Sequence, residues 1–338
     1  MNKVSIICPI LNEEKYMRFF LESILHQTLK IDYEVILIDG ISTDRTREIV
    51  HDYLLKYPNL SLLDNPCRFT PHALNIGIDN CKGDMLVRVD AHSIYPSNYL
   101  DTLIEASIKL NADNVGCIVN TLPSTNSKKC KAIAYVISHP FGVGNSYFRI
   151  GTSEIRKVDT VPFGCFKKSL FDTIGHFDEE LLVNQDDEFN SRILKNGGQI
   201  YLLPNISVDY FARDSIRKTM KMFYQYGLYK PLVNLKIGRR TSTRQLFPML
   251  FLVGLCIGPL SMFIDTKIFY LYIFIINLYF FIGIFFSLNT FEKIKEGVVL
   301  FMPLIFFLVH ISYGYGYIFG KIKLLSGKNL KNSIKITR

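Results

Sequence analysis

Acidic side chains follow two predicted strands of this sequence. Asp39 comes directly after the apolar run 33–38, and Asp90 comes directly after the apolar run 85–89. Ligands of mostly parallel sheets bind beyond the carboxyl ends of the strands, so both carboxylates are expected at one site. An aspartate at a strand end is also a common turn former, and the spacing alone therefore does not name the chemistry.

A second acidic group consists of the consecutive residues Asp186, Asp187 and Glu188. Consecutive acids are common at the solvated start of a helix, where they are favoured by the helix dipole. A carboxylate held beside a hydroxyl group can also remove its proton, so the group contains a candidate general base. Arg192 lies four residues after Glu188, which is the spacing of an ion pair on a helix.

Alternating strands and helices are predicted to position these residues. Apolar runs of strand length alternate with segments whose apolar residues recur at helical spacing. The predicted strands are 4–8, 33–38, 60–63 and 85–89, and the predicted helices include 14–27, 72–80 and 99–110. This order predicts an α/β domain with a mostly parallel central sheet and helices on both faces.

The composition excludes a disordered chain and a disulfide scaffold. Of 338 residues, 49% are hydrophobic and 20% are charged, which provides core material for about two domains. The seven cysteines are odd in number and contain no Cys-x-x-Cys pair, which suits a reducing compartment rather than a disulfide framework or a zinc module.

The net charge of +9 is unevenly distributed. Residues 1–212 carry 21 basic and 26 acidic side chains, residues 213–244 carry 9 and 1, and residues 321–338 carry 6 and none. The basic regions enclose three nearly uncharged stretches, 246–264, 268–288 and 298–319, each close to the roughly 20 residues that cross a bilayer as a helix. The basic side chains are therefore expected at anionic lipid head groups, and no nucleic-acid partner is expected.

The same pattern predicts four regions. They are a soluble domain at 1–212, a basic amphipathic segment at 213–245, a membrane region at 246–320 and a basic tail at 321–338. The amphipathic segment suits either a helix in the membrane surface or a surface helix of the soluble domain.

The membrane topology contains a conflict between charge and crossing number. Three arginines between 239 and 244 precede the first apolar stretch and place residues 1–212 in the cytoplasm. Three crossings would then put the six basic residues of the tail on the opposite side. Because Gly254, Gly258 and Pro259 interrupt the first stretch, we predict that 246–264 is re-entrant or interfacial and that both termini are cytoplasmic.

Six motifs give the sequence a specific resemblance. Their order and approximate spacing resemble those of the inverting family 2 glycosyltransferases over about residues 3–230, and the segments 88–92, 139–145 and 162–164 look most like the succinoglycan-type exopolysaccharide branch. The motifs are Pro9-Ile10-Leu11-Asn12-Glu13, the segment 39–46, Leu74-Asn75-Ile76-Gly77, Gly83-Asp84, Asp90-Ala91-His92 and the segment 184–189. The resemblance implies a GT-A nucleotide-diphospho-sugar transferase fold, here followed by C-terminal transmembrane helices.

The resemblance also implies a donor site and a metal site. The expected donor is a nucleotide sugar, with a UDP-sugar as the first candidate. It is expected to contact Pro9, Asn12, Glu13, Asp39, Asn75, Gly77 and Asp90. Asp90 and His92 are expected to bind a divalent cation, Mn²⁺ or Mg²⁺, that neutralises the departing diphosphate. The family carries Asp-x-Asp at this place, and an imidazole is a better ligand for Mn²⁺ than for Mg²⁺.

For the acceptor side, the Glu-Asp pair of the family maps onto Gln185-Asp186. Asp186 is therefore expected to be the general base, with Asp187 and Glu188 as alternatives, and Phe163, Gly164 and Arg192 are expected on the acceptor side. Processive relatives carry a Gln-x-x-Arg-Trp motif near 225–230, and this chain has no tryptophan, so transfer of a single sugar is expected.

The expected function is transfer of one sugar, with inversion, to a lipid-linked glycan at the cytoplasmic face of the inner membrane, in cell-surface or exopolysaccharide biosynthesis. One alternative is an enzyme that glycosylates polyprenyl phosphate itself. Another is a catalytically silent membrane subunit that binds nucleotide sugar, which the departures at Gln185 and His92 leave open.

Overall fold

The computed structural model describes residues 3–238, 243–294, 301–328 and 330, and it describes the backbone but not the side chains of 291–294. Two compact units are present. The sheet unit contains residues 3–120 and 150–210, and the helix unit contains residues 121–149 and the described residues from 211 onward. Residues 121–149 thus cluster with the C-terminal helices, although the predicted soluble domain at 1–212 includes them. Arg239, Arg240 and tail residues 331–338 lie outside the described residues.

The sheet unit alternates strands and helices as the sequence pattern predicts. Its strands are β1 Lys3–Ile10, β2 Asp32–Asp39, β3 Leu60–Asp64, β4 Met85–Arg88, β5 Ser93–Ile94, β6 Asn114–Leu122, β7 Arg156–Lys157, β8 Cys165–Lys167 and β9 Ile200–Phe211. Its helices are α1 Met17–Leu25, α2 Thr46–Leu54, α3 Thr70–Asn80, α4 Tyr99–Lys109, α8 Ser169–Ile174 and α9 Gln185–Lys195.

Among the described residues the strands form one sheet in the order β3-β2-β1-β4-β8-β6-β9-β5, with β7 paired to β9. Strands β1 to β4 are mutually parallel, and β8 is antiparallel to β4 and β6. The predicted mostly parallel α/β sheet is confirmed. Ile10 pairs with Asp39 and Asp39 pairs with Asp64, so the first three strands end in one row. The loops that follow them therefore meet at a single edge.

The residues of β1 explain why this strand lies inside the sheet. Val4, Ile6, Ile7 and Cys8 are completely buried, so both faces of the strand are covered, as is usual for parallel strands. Helix α1 buries the residues that its helical spacing predicts, including Met17, Phe20 and Ile24.

The helix unit contains the remaining helices. They are α5 Lys128–Val136, α6 Pro140–Val143, α7 Tyr147–Ile150, α10 Ile216–Ile237, α11 Phe247–Ile257, α12 Thr266–Ile294 and α13 Met302–Leu325, with 3₁₀ turns at Thr243–Leu246 and Gly258–Phe263. The hydroxyl of Ser215 caps α10 by accepting from the Lys218 amide, and Gly238 ends the helix in a left-handed conformation.

Three helical segments among the described residues are long and apolar enough to cross a membrane. They are Thr243–Phe263, Thr266–Thr290 and Met302–Leu325, with mean hydropathies of 2.1, 2.3 and 1.4. They coincide closely with the three apolar stretches of the sequence. That 246–264 is re-entrant or interfacial, with both termini cytoplasmic, stays a prediction.

Candidate active site

Three side chains meet where β1 and β4 end. Asp90 and His92 follow β4, Glu13 follows β1, and one potential ligand atom from each lies within 4.8 Å of the others. The Nδ1 atom of His92 contacts a carboxylate oxygen of Asp90 and lies 3.8 Å from Oε1 of Glu13. The structure therefore brings the predicted metal pair together and adds Glu13. Two carboxylates and an imidazole are a donor set that suits a divalent transition-metal ion.

The turn that carries Asp90 is held by a buried tyrosine. The Asp90 amide donates to Oη of Tyr95 over 2.7 Å, and that hydroxyl donates to the Asp90 carbonyl over 3.2 Å. Burial raises the pKa of Tyr95 well above its usual value, so the phenol stays neutral and keeps its proton as a donor. The His92 ring lies against Tyr210 with centroids 4.9 Å apart.

The carboxylate of Asp90 is favoured in its ionised form although it is partly buried. Burial by itself would raise the pKa of Asp90, but the nearby His92 and Arg88 outweigh it and lower the pKa below its ordinary value. An ionised carboxylate can bind a cation without first losing a proton, whereas His92 must be neutral to be a ligand.

Asp39 organises the loop after β2. Its fully buried carboxylate accepts from the Ser42 amide over 3.0 Å and from Nη1 of Arg47 over 2.7 Å, and Arg47 also donates to Asp64 over 2.7 Å. Arg47 is not among the site residues predicted from the sequence. The only feature of the sequence that points to Arg47 is its position in the first turn of α2, eight residues after Asp39.

The loops after β1 and β2 are joined by hydrogen bonds. The Asn12 amide donates to the Ser42 hydroxyl, and Oδ1 of Asn12 accepts from the Thr43 amide, both over 2.8 Å. Pro9 lies within β1 opposite Ile38. Ile41 has φ of 57° and its side chain is 40% exposed, a left-handed conformation that is unusual for a β-branched residue.

Two predicted donor residues, Asn75 and Gly77, are engaged in packing of α3. The Asn75 amide group donates to the Phe177 carbonyl over 2.9 Å and accepts from the Phe177 amide over 3.0 Å. A Cβ atom on Gly77 would lie 2.9 Å from Ile7 and 3.0 Å from Ile38, so glycine lets α3 lie directly on the sheet. Their contact with a nucleotide stays a prediction.

Asp186 lies in the first turn of α9, beside a buried cation. Nη1 of Arg88, at the end of β4, contacts Oδ1 of Asp186, and the two side chains are 7% and 24% exposed. The Arg88 guanidinium also interacts electrostatically with the carboxylate of Asp90. One guanidinium group therefore lies between the predicted general base and the predicted metal ligand. The sequence signal for Arg88 is a single charge inside an otherwise apolar strand.

The other acids of α9 are placed differently. The Glu188 carboxylate is 7% exposed and receives two hydrogen bonds from Arg192, at 2.7 and 2.9 Å. Arg192 also donates to the carbonyls of Ile174 and His176. The predicted ion pair of Glu188 and Arg192 is thus present, and Arg192 links α9 to the segment 174–176. The side chain of Asp187 is partly exposed.

Phe163 and Gly164 directly precede β8, and Gly164 is hydrogen-bonded to Arg88 at the end of β4. The Gly164 carbonyl accepts from the Arg88 amide over 2.9 Å, and Phe163 is buried. A Cβ atom on Gly164 would lie 2.2 Å from Oδ1 of Asn114, so only glycine fits at this position.

A mostly parallel sheet that presents a carboxylate-imidazole cluster and a separate partly exposed carboxylate at one edge has the architecture of a nucleotide-sugar transferase. Comparison with known proteins assigns the chain more closely. The model of glycosyl transferase family 2 matches residues 5–170.

Two curated relatives cover most of this chain. A protein of Methanococcus voltae, dolichyl N-acetyl-alpha-D-glucosaminyl phosphate 3-beta-D-2,3-diacetamido-2,3-dideoxy-beta-D-glucuronosyltransferase, is 30% identical over 332 residues, which are 96% of this chain and 98% of that one. The succinoglycan biosynthesis protein ExoA of Rhizobium meliloti is 28% identical over 246 residues, 72% of this chain and 74% of that one.

A solved structure shares the fold. It is S. aureus TarS 1-349 in complex with UDP-GlcNAc, with a TM-score of 0.51, 15% identity, and coverage of 96% of this chain and 92% of that one. The chain belongs to glycosyltransferase family 2, and the resemblance seen in its motifs is confirmed. It is a glycosyltransferase with a GT-A-like fold, and its three candidate spans indicate a membrane protein.

Proposed function

We propose that this enzyme transfers a single sugar, with inversion, from a UDP-sugar to a lipid-linked glycan acceptor at the cytoplasmic face of the inner membrane. The observation that carries the proposal is the position of Arg88 between Asp186 and Asp90. Asp186 would then face the acceptor hydroxyl and Asp90 would hold the divalent cation that offsets the charge of the donor diphosphate, with the Arg88 guanidinium between the two carboxylates. The activities named for the two curated relatives support an acceptor in lipid-linked glycan or exopolysaccharide synthesis.

The donor nucleotide is assigned to the loops after β1 and β2. The hydrogen bonds of Asn12 with Ser42 and Thr43 fix the two loops against each other. Asp39, held by Ser42 and Arg47, sits at the base of this arrangement. A preformed pair of loops can accept a base and ribose with little loss of conformational entropy.

Asp90, His92 and Glu13 would hold a divalent cation, and that cation would supply positive charge to offset the charge that develops on the departing diphosphate. The imidazole in this set favours Mn²⁺ over Mg²⁺. Tyr95 fixes the backbone of Asp90, so the position of the carboxylate does not depend on the cation alone.

Asp186 is assigned as the general base. Its Oδ1 faces Arg88, which leaves Oδ2 to accept the proton of the acceptor hydroxyl. The acceptor oxygen forms a bond to the anomeric carbon, and the bond from that carbon to the diphosphate breaks, with its electron pair leaving on the nucleoside diphosphate. Attack opposite the leaving group inverts the anomeric configuration. Arg88 acts here as a positioning residue, because it touches Asp186 and not the reacting atoms.

Phe163, Gly164 and Arg192 are assigned to the acceptor side. Gly164 and Arg88 are hydrogen-bonded neighbours, so the backbone at Gly164 borders the proposed base. Arg192 fixes α9 and hence the first turn that carries Asp186. Asp187 and Glu188 remain the alternative bases, but the two hydrogen bonds from Arg192 already engage Glu188.

Purified full-length protein in lipid nanodiscs tests the function. A panel of UDP-sugars and other nucleotide sugars would be incubated with lipid-linked mono- and disaccharide acceptors and with Mn²⁺ or Mg²⁺. The expected product carries one added sugar of inverted configuration, together with one equivalent of nucleoside diphosphate. A product in which the sugar is attached directly to polyprenyl phosphate, or donor binding without any transfer, would contradict the proposal.

A further inference from the structure

Asn190 is a buried residue on the helix that carries Asp186. It is 1% exposed, and it lies four residues after Asp186 on α9. Residues four apart on an α-helix are only about 40° apart around the helix axis, so Asn190 and Asp186 project from the same face of α9. A buried carboxamide needs hydrogen-bond partners, and the partners of Asn190 therefore define what holds this face of the helix.

Both ends of the Asn190 carboxamide are bonded to segments outside α9. Nδ2 donates to Oγ1 of Thr160 over 2.9 Å and to the Val161 carbonyl over 3.0 Å. Oδ1 accepts from Nδ2 of Asn114, in β6, over 2.8 Å. Asn114 is completely buried, and Thr160 and Val161 are also buried. One side chain therefore ties α9 both to β6 and to the segment 160–164, which contains the predicted acceptor-side residues.

The segment 160–164 packs directly on β6. A Cβ atom on Gly116 would lie 2.6 Å from Cβ of Val161, and one on Gly164 would lie 2.2 Å from Oδ1 of Asn114. Side chains at these two positions would clash with their neighbours, so the two glycines allow the segment and the strand to touch. The segment is therefore held against β6 by packing as well as by the Asn190 carboxamide.

These contacts close a ring around the proposed base. The Gly164 carbonyl accepts from the Arg88 amide over 2.9 Å, and the Arg88 guanidinium contacts the carboxylate of Asp186. The same helix carries Asn190, whose partner Asn114 lies against Gly164. The position of Asp186 is thus set by two connections to the same part of the sheet, a direct one to Arg88 and an indirect one through Asn190.

A second polar attachment holds the opposite face of α9. Arg192 donates to the carbonyls of Ile174 and His176. Arg192 and Asn190 are two residues apart, which places them about 160° apart around the helix axis. With a polar attachment on each face, α9 resists rotation about its axis, and its first turn holds Asp186 in one orientation. Without the hydrogen bonds of Asn190, the attachment by Arg192 acts on one face only.

We propose that Asn190 is a positioning residue for the general base. The proposal rests on the proposed function, in which Asp186 removes the proton of the acceptor hydroxyl. The three hydrogen bonds of the Asn190 carboxamide fix the orientation of α9 relative to the segment 160–164, and so fix the base relative to the acceptor side. A displacement of about 1 Å at a reacting group can lower a rate about 10²-fold, so this attachment matters for the rate as well as for the fold.

Substitutions that remove hydrogen bonds and keep the side-chain volume test the proposal in full-length protein in nanodiscs. Asn190→Leu removes all three bonds, Thr160→Val removes one, and Thr160→Ser keeps that one. Ile193→Ala is the matched control, because Ile193 is equally buried on α9 and has an apolar side chain. The rate of nucleoside diphosphate release is divided by the amount of protein that binds UDP, so that unfolded protein does not contribute to kcat.

We expect kcat of Asn190→Leu to fall about 10- to 100-fold while the KM for the donor stays within about twofold. Thr160→Val should lose less, and Thr160→Ser should recover most of that loss. Ile193→Ala should lower the melting temperature and leave kcat unchanged. The double variant of Asn190→Leu and Asp186→Asn should have the kcat of Asp186→Asn alone. The proposal is wrong if Asn190→Leu lowers kcat no more than Ile193→Ala does, or if its loss multiplies with that of Asp186→Asn.

Hydrogen exchange separates this proposal from the proposed function. Asn190→Leu should speed amide exchange both in 185–188 and in 160–164, and Ile193→Ala should leave 160–164 unchanged. Unchanged exchange of 160–164 in Asn190→Leu would show that the carboxamide does not connect the two segments, whatever the activity. Wild-type protein that transfers no sugar, or Asp186→Asn that keeps its kcat, would instead refute the proposed function. If Asn190→Leu does not accumulate, Thr160→Val and Thr160→Ser decide the proposal by the same measurements.

Discussion

Replacement of Asp186 by asparagine separates base chemistry from donor binding. We expect kcat of Asp186→Asn to fall by about 10²- to 10⁴-fold, because general base catalysis contributes about that factor. The change corresponds to about 2.7 to 5.5 kcal/mol in the activation barrier. Asparagine keeps the shape of the side chain and an oxygen for Arg88, so the donor Kd is expected to stay within about twofold.

The same substitution has a stability cost that the structure allows us to estimate. Arg88 is 6% exposed, and without the charge of Asp186 its remaining nearby carboxylate is Asp90. Loss of one partner of a fully buried ion pair costs about 3 to 5 kcal/mol, and the cost here is expected to be smaller because the Asp186 side chain is 24% exposed and asparagine keeps an oxygen for Arg88. Kinetics should therefore be measured well below the melting temperature of the variant.

A double-mutant cycle tests whether Arg88 acts through Asp186. Nucleoside diphosphate release would be followed at saturating acceptor for Arg88→Met, Asp186→Asn and the double variant. We expect the double variant to have the kcat of Asp186→Asn alone, and Arg88→Lys to recover part of the loss seen with Arg88→Met. Multiplied losses would show that Arg88 has an independent role. If Asp186→Asn keeps more than about a tenth of kcat while Asp187→Asn does not, the base is Asp187.

Three further predictions follow from other parts of the molecule. Excess chelator should abolish transfer and Mn²⁺ should restore it. His92→Ala should raise the Mn²⁺ concentration needed for half-maximal rate about tenfold or more. Activity that survives exhaustive chelation would exclude the metal site. Gly316→Ala should strongly lower the melting temperature in nanodiscs, because its Cβ would clash with the Tyr224 backbone. Gly254→Ala is the control and should be neutral, because a Cβ there has no atom within 4 Å. Equal effects of the two substitutions would contradict the close contact between α10 and α13. Burial alone would raise the pKa of Glu34, but hydrogen bonds from Ser5 and from the Lys82 amide, together with Lys3, lower the pKa below 4.5. The ionised Glu34 therefore stabilises the fold above that pH. Glu34→Gln should lower the melting temperature at pH 7, and the difference should vanish as acid protonates the wild-type carboxyl group.

Local patterns in the sequence predicted the elements and the spacing-dependent pairs. The apolar periodicity of 17–25 and the strand at 33–38 follow from residues close together in the chain, as does the Glu188–Arg192 pair on one helix. The proximity of Asp90 and His92 is likewise a two-residue relation.

Relations between distant segments could not be predicted in this way. Glu13 joins Asp90 because β1 and β4 are adjacent parallel strands, and strand order is set by packing of the whole sheet. Arg88 meets Asp186 only through the placement of α9. Asn75 was assigned to the donor from its motif, and its bonds to Phe177, about a hundred residues away, have no local signal.

The membership of residues 121–149 in the helix unit has a consequence for biosynthesis. Ala132, Ile133 and Val136 need Ile305 and Phe306 as partners, and these are made about 170 residues later. At roughly 5 to 20 residues per second, the ribosome takes about 10 to 35 s to supply them. During this interval the apolar face of α5 in the nascent chain lacks the residues against which it packs in the folded protein. Chaperones or the membrane insertion machinery must shield it, and a shortened gene that stops near codon 212 would produce a protein that never acquires that cover.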